Sequence, residues 1–306
     1  MQPLFAGTSF DREARKPLIH AALKALGTAG AKLDGARVLV TGARGFFGRY
    51  VVESLLELNA QDNGLRPPID IVAADSYAVG NEEPRVEEWR NEPNLWTVKC
   101  DLVHASGLLF GGQRFSHIWH LAGIASPHWY KKLPEETIAI TVDGTRRMLS
   151  YAREHKAKFM FTSSSEVYQT ASVVPTPESY VGAIPSTNER SCYDVSKLMA
   201  ETLCYVEALK YGTHVSAMRI FNSFGPGMAE VDRRILPRIA SAMKAGKEMK
   251  VFAPRATPDA LEVQLPLPRR TYTPVANTLL GFLKVALECE TMAAGNAAGI
   301  YNVGLE

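Results

Sequence analysis

No apolar run in this chain approaches the ~18 residues that a membrane-spanning helix needs, and no membrane association is expected. Cysteine is scarce. Cys100, Cys192, Cys204 and Cys289 are spread over 306 residues without CxxC spacing. They read as free thiols of a reducing cytoplasm rather than a disulfide framework. Neither sign of charge dominates, since 34 Lys and Arg stand against 32 Asp and Glu for a net charge of +2. The basic residues are scattered, so nothing marks a nucleic-acid footprint. Internal repeats and low-complexity segments are missing. Residues 1–15 are mixed and charged, unlike a secretory signal peptide, and a cytoplasmic location is expected. His117 and His120 flank Ile118-Trp119 in a strand-like run. That spacing puts the two rings on opposite faces, so no metal site is expected.

A chain of this length buries a substantial core, as one large domain or two intimate ones. Residues 11–27 place Leu18, Ile19, Ala22, Leu23 and Leu26 at helical spacing, ahead of a small-residue linker over 27–35. This extension reads as packing or dimer edge rather than catalytic. Buried strands are expected at 36–41, 69–75, 95–99, 117–121, 158–161, 215–220 and 249–252. Helices are expected at 47–58, 134–155 and 193–211, and a Pro-rich loop at 253–269. Strands that alternate with helices and are apolar on both faces predict an α/β fold. It is a Rossmann-type, doubly wound parallel sheet covered on both sides.

The first strand runs into Thr41-Gly-Ala-Arg-Gly-Phe-Phe-Gly48, and a helix follows. A glycine triplet means little alone, but strand–turn–helix is the context a dinucleotide needs. Gly42 permits the tight turn, Gly45 lets backbone approach the phosphates, and Gly48 lets the helix pack on the sheet. Phe46 and Phe47 open that helix, whose N-terminus offers amide donors to a pyrophosphate. The spacing is GxxGxxG rather than GxGxxG. Asp75 ends the second strand, where a carboxylate accepts from the adenosine ribose diol and opposes a 2′-phosphate. The alternative role, a helix cap or turn residue, is the lesser one given Gly42, Gly45 and Gly48 upstream. The expected cofactor is therefore NAD. Asp101 and Leu102 follow the next strand near the adenine edge, and Leu121, Ala122 and Gly123 put small backbone against the dinucleotide.

Tyr193 and Lys197 stand one helical turn apart and share a face. An ammonium and the cofactor's positive charge are expected to lower the phenol's pKa towards working pH. Tyrosinate then takes a hydroxyl proton while hydride leaves the carbon for nicotinamide. Ser164, at the end of the Ser-rich strand, orients the same hydroxyl.

TGARGFFG (41–48), HLAGIASPHWY (120–130), TSSSEVY (162–168), SCYDVSKLMAETLCY (191–205) and RIFNSFGPGM (219–228) together resemble the extended short-chain dehydrogenase/reductase superfamily. The likeness covers residues 36–306 and is nearest to UDP-glucuronate decarboxylases. It implies Ser164, Glu166, Tyr193 and Lys197 as catalytic residues, with Tyr193 and Lys197 also touching NAD. It implies Ser126, Asn222, Arg234 and Arg270 as contacts to a nucleotide-sugar, with a UDP-sugar expected, and a homodimer through paired helices. The implied division is an N-terminal helical extension (1–34), an NAD-binding domain (35–222) and a smaller, mainly C-terminal nucleotide-sugar lobe (223–306). The lobe is expected to lack its C-terminal end, where the family continues to a further arginine.

The family usually has Thr at Ser164, Gly at Gln169 and Asn at Thr141. It also has a shorter turn than 253–269. The implied reaction is C4 oxidation, C6 decarboxylation and re-reduction to UDP-xylose. A 4-epimerase, a 4,6-dehydratase and a degenerate nucleotide-sugar-binding protein remain alternatives. Ser165-Glu166 lacks the Asp-Glu pair of a dehydratase.

Overall fold

The computed structural model describes residues 12–61, 64–79, 89–106, 109–169, 171–229, 232, 234–248, 270–293 and 298–305. The elements run α1 (Arg12–Leu26), a 3-10 helix (Gly27–Leu33), β1 (Arg37–Thr41), α2 (Phe46–Gln61), β2 (Asp70–Asp75), β3 (Leu95–Lys99) and β4 (His117–His120). Two short helices follow, α3 (Pro127–Tyr130) and α4 (Pro134–Ala139), then α5 (Thr145–His155), β5 (Lys158–Ser164), α6 (Ser191–Tyr211) and β6 (Val215–Ile220). The remainder is β7 (Ser223–Phe224), α7 (Ile235–Lys244), β8 (Thr273–Pro274), α8 (Val275–Glu288) and β9 (Ile300–Val303).

Seven strands form one parallel sheet in the order β3-β2-β1-β4-β5-β6-β9. Side-chain alternation builds two cores. Val38, Val40, Ile71, Ala73, Trp119, Met160 and Met218 meet α1, α2 and α8 on one face. Leu39, Val72, Ile118, Phe159, Phe161 and Ala217 meet α5 and α6 on the other. A strand apolar on both sides has to be covered on both sides, which is why the apolar runs read as continuous. The sheet winds outward in opposite directions from β1 and β4, which pair as Thr41↔His120. Between the carboxyl ends of two such strands lies the crevice of an open α/β sheet.

Several expectations are corrected by the structure. The 27–35 stretch is not a plain linker, because Gly27–Leu33 coils into a 3-10 helix that buries Ala29, Gly30 and Leu33. The helix expected over 134–155 is interrupted by a π turn at Ile140–Gly144. Strand β5 runs past residue 161 to Ser164, carrying the serines to the sheet's carboxyl edge. The last helix and strand were not anticipated. β9 pairs with β6 from Ala217↔Ile300 to Ile220↔Val303, so β9 joins the main sheet and α8 packs in its core. The strand expected at 249–252 and the loop at 253–269 lie outside the described residues.

The N-terminal helix is tied down by charge as well as apolar packing. Arg15, 1% exposed, donates to both carboxylate oxygens of Glu53 on α2 at 2.8 and 2.5 Å. No described helix is long and apolar enough to cross a membrane.

Candidate active site

At the β1/β4 crevice lies a cleft of about 480 Å³ lined by Gly42, Gly45, Asp75, Asp101, Leu102, Leu121, Ala122 and Gly123, among others. The turn that forms its floor requires glycine. Gly42 has φ +67°, and a Cβ there would sit 2.7 Å from the Ala122 backbone. A Cβ on Gly48 would meet the Gly42 carbonyl oxygen at 2.2 Å. Backbone fills the space a side chain would take, which leaves the first turn of α2 open towards the cleft. This cradle fits a dinucleotide pyrophosphate.

Asp75 proves to be a brace for that turn. Its carboxylate accepts from the Arg44 N–H and the Tyr77 N–H, both at 2.9 Å. A carboxylate has about four acceptor positions, so two remain for a ribose diol. Asp101 spends its acceptors locally, on the Val103 N–H at 2.8 Å and the His104 N–H at 3.1 Å. The rings of Phe46 and Phe47 pack edge-on against Tyr50 and Phe282, and neither residue is among those lining the cleft. Arg44, legible inside the glycine motif, lines the cleft with its guanidinium over the Tyr77 and Trp89 rings at 5.8 and 4.7 Å.

The four expected catalytic side chains converge from β5, the turn after it and α6. Ser164 ends β5, and its Oγ accepts from the Glu166 N–H at 3.2 Å, capping the short 3-10 turn Ser165–Tyr168. The Tyr193 ring is buried and stacks on Tyr130 of α3, with centroids 5.5 Å apart. Lys197 Nζ donates to the Thr162 carbonyl at 2.7 Å and lies 5.9 Å from the Tyr193 ring centroid. A Cβ on Gly123 would stand 3.5 Å from that ammonium, so Lys197 reaches the wall of the cofactor cleft.

In the protein alone, burial sets the electrostatics here. Burial pushes the Tyr193 phenol up to about 12, with Glu166 and Asp194 adding to the rise. A hydrogen bond from Ser164 and the charge of Arg234 act the other way without winning. Burial also pulls the Lys197 ammonium down to about 8, against the opposing pull of Glu201. The protein alone therefore holds the phenol protonated. Burial dominates that rise, and the expected lowering also requires the cofactor's positive charge, which the protein alone does not supply. Beneath the site, burial drives His120 down to about 3, so its ring is neutral, with Nδ1 2.7 Å from Thr41 Oγ.

Glu166 is not free. It pairs with Arg190, which also reaches Asp194 at 3.3 Å. Asp194 in turn accepts from the Gln169 side chain at 2.6 Å. Gln169 adopts φ 52°, ψ −121°, a conformation suited to glycine, at a strain of order 1–3 kcal/mol. The sequence reading missed this network. Its one visible signal was Gln169 standing where the resembled family usually has glycine.

The substrate-side residues are more dispersed. Ser126 caps α3 by accepting from the His128 N–H at 3.3 Å. Asn222 Nδ2 donates to the Thr271 carbonyl at 3.0 Å, which ties it to the backbone beside the exposed Arg270. Arg234 precedes α7, and its Nε donates to Asp232 at 2.9 Å. Arg219, in the same RIFN segment as Asn222, is structural. It is buried, giving Glu201 hydrogen bonds of 2.9 and 2.6 Å and Tyr168 one of 2.6 Å.

The chain is 33% identical over 270 residues to UDP-glucuronic acid decarboxylase 3 of Arabidopsis thaliana, covering 88% of this chain and 69% of that one. It is 33% identical over 218 residues to decarboxylase 5 of the same plant, covering 71% of this chain but only 60% of the relative's length. The fold is shared with a solved UDP-N-acetylglucosamine 4-epimerase from Methanobrevibacter ruminantium. That match has a TM-score of 0.69 at 22% identity and covers 89% of this chain and 77% of that one. A family profile matches residues 38–304, from the first strand of the sheet through the last. The chain belongs to the NAD dependent epimerase/dehydratase family.

Proposed function

We propose that this protein is an NAD-dependent enzyme acting on a UDP-sugar, and that its substrate is UDP-glucuronate, converted to UDP-xylose with loss of CO₂. The observation that carries the reading is the convergence of Ser164, Glu166, Tyr193 and Lys197 beside the glycine-floored cleft. Gly42, Gly45 and Gly48 hold the pyrophosphate, and Asp75 holds the adenosine ribose. When bound, NAD supplies a hydride acceptor for sugar C4, a hydride donor for the last step, and a positive ring charge near the phenol.

Ser164 orients the C4 hydroxyl. Tyr193, its ionised form favoured by the ring charge of bound NAD, takes the hydroxyl proton. The resulting C4 ketone is β to the C6 carboxylate. The C5–C6 bond breaks, CO₂ leaves, and the bonding pair becomes an enolate. Proton delivery to C5 falls to the Glu166 neighbourhood, and Tyr193 returns its proton as C4 is reduced. Ser126, Asn222, Arg234 and Arg270 hold the nucleotide-sugar. The test is incubation with a panel of nucleotide-sugars, read by mass spectrometry. Loss of CO₂ from UDP-glucuronate supports the reading, and loss of water or no turnover of any acidic sugar rejects it. A second reading, 4-epimerisation, is favoured by the Arg190 pair that already occupies Glu166. Its signature is a new stereoisomer of unchanged mass.

The Asp75 charge opposes an extra phosphate at the ribose. Purified protein is expected to retain NAD(H). Extraction of mainly NADP(H) would reject that assignment.

We further propose a homodimer. Helix α6 exposes Val195, Leu198, Met199, Tyr205, Val206 and Leu209 by 37–47% each, with Ile138 of α4 nearby in the same layer. So much apolar surface on one helix marks an interface. Light scattering across micromolar concentrations is expected to give twice the chain mass, and a monomer throughout would refute it.

A further inference from the structure

The turn that carries Glu166 closes on Gln169 at φ 52°, ψ −121°, a backbone conformation natural to glycine. Glycine would close the same turn without strain. The glutamine side chain makes contacts that glycine cannot. Its Nε2 donates to Asp194 Oδ2 at 2.6 Å and towards the Glu166 carbonyl at 3.5 Å, while its N–H reaches that carbonyl at 3.1 Å. Asp194 is 1% exposed and directly follows Tyr193. It accepts from Arg190 Nε at 3.3 Å, and the same guanidinium pairs with Glu166. The contacts form a closed ring, from Gln169 to Asp194, to Arg190, to the Glu166 carboxylate, and back through the Glu166 backbone.

We propose that Gln169 is a positioning residue for Glu166. A buried carboxylate draws in whatever donors are within reach. With the Gln169 amide in place, Asp194 is content with a share of Arg190, and the guanidinium stays divided between Asp194 and Glu166. Without that amide, Asp194 takes Arg190 for itself, and Glu166 loses the partner that fixes its carboxylate beside Tyr193. The strained backbone is the cost of putting an amide where glycine offers none. The inference rests on the proposed role of Glu166 in the reaction, but its structural half does not.

Two substitutions separate donor from backbone. Gln169→Gly removes the donor and the strain. Gln169→Met removes the donor and keeps the strain and the side-chain length. Both are expected to lower kcat on UDP-glucuronate by roughly tenfold to a hundredfold, with KM nearly unchanged, as for a misplaced catalytic group. In an Arg190→Gln background, Gln169→Gly should add little further loss, because both act on Glu166 through one path. A crystal structure of the Gln169→Gly protein should show Arg190 moved from Glu166 towards Asp194. An unchanged Arg190–Glu166 pair in that crystal overturns the proposal, as does full activity of the Met variant or an additive loss in the double variant. If wild-type protein turns over no nucleotide-sugar, the proposed function fails. The crystallographic comparison still decides whether Gln169 positions Glu166.

Discussion

Tyr193→Phe is expected to cut turnover by ~10²–10⁴-fold, the range for removing a general acid–base group. The folded protein should survive. The ring stays stacked on Tyr130 at 5.5 Å. Only the phenol oxygen goes, and with it the Ser164 hydrogen bond that lowers its pKa. Ser164 Oγ keeps the Glu166 N–H at 3.2 Å. The stability loss should be about 1 kcal/mol, one hydrogen bond. NAD retention should be unchanged, because the glycine cradle and Asp75 are untouched. The measurement is single-turnover NADH absorbance beside mass spectrometry of the sugar. Undiminished turnover would sink the mechanism, and loss of bound cofactor would mean the phenol has a different role.

Lys197→Met is expected to remove activity and leave the protein more stable at neutral pH. Lys197 is 4% exposed, and burial pulls its ammonium from 10.5 down to about 8. At pH 7 the side chain is charged in both folded and unfolded chains, so the burial penalty is felt in full, about 3 kcal/mol. Between pH 8 and 10.5 the folded protein loses this proton first and the penalty fades. Above 10.5 it is gone. The hydrogen bond to the Thr162 carbonyl is lost in the variant, offsetting roughly 1–2 kcal/mol. A net gain of about 1–2 kcal/mol, or a few degrees in Tm, should remain at pH 7. The gain should shrink or reverse by pH 10. Thermal melts at the two pH values check this, and a Tm below wild type at pH 7 would show that Lys197 supports the fold.

Much of this was legible in the sequence for a definite reason. The strands of the sheet's centre are fully buried, so Val38, Leu39 and Val40 announce β1 without ambiguity. The glycines of the turn are fixed by steric necessity, which leaves a mark in sequence that no packing compromise can blur. β9 was missed because its four residues are all half-buried, with no alternation and no continuous apolar run. The π turn was missed because periodicity over 134–155 survives one widened turn. The burial that raises the phenol's pKa in the protein alone was not legible, because spacing reports which residues share a face, not how deeply they are buried. The Gln169–Asp194–Arg190–Glu166 ring joins residues 25 apart in the chain across a bend, and no local pattern encodes such a contact.

The first helix and the last one hold each other. α1 packs on α8, and Lys32 donates to the Leu287 carbonyl across 255 residues at 3.2 Å. On a ribosome adding ~5–20 residues per second, the N-terminal helix waits roughly tens of seconds for this partner. Through that interval Ile19, Leu23 and Leu26 lack the cover of α8, and the outer place beside β6 stands open as an unpaired strand edge. Such an edge is a template for pairing with another chain. The nascent protein therefore passes through a long stage in which that edge is exposed, and the sheet closes only when α8 and β9 join it.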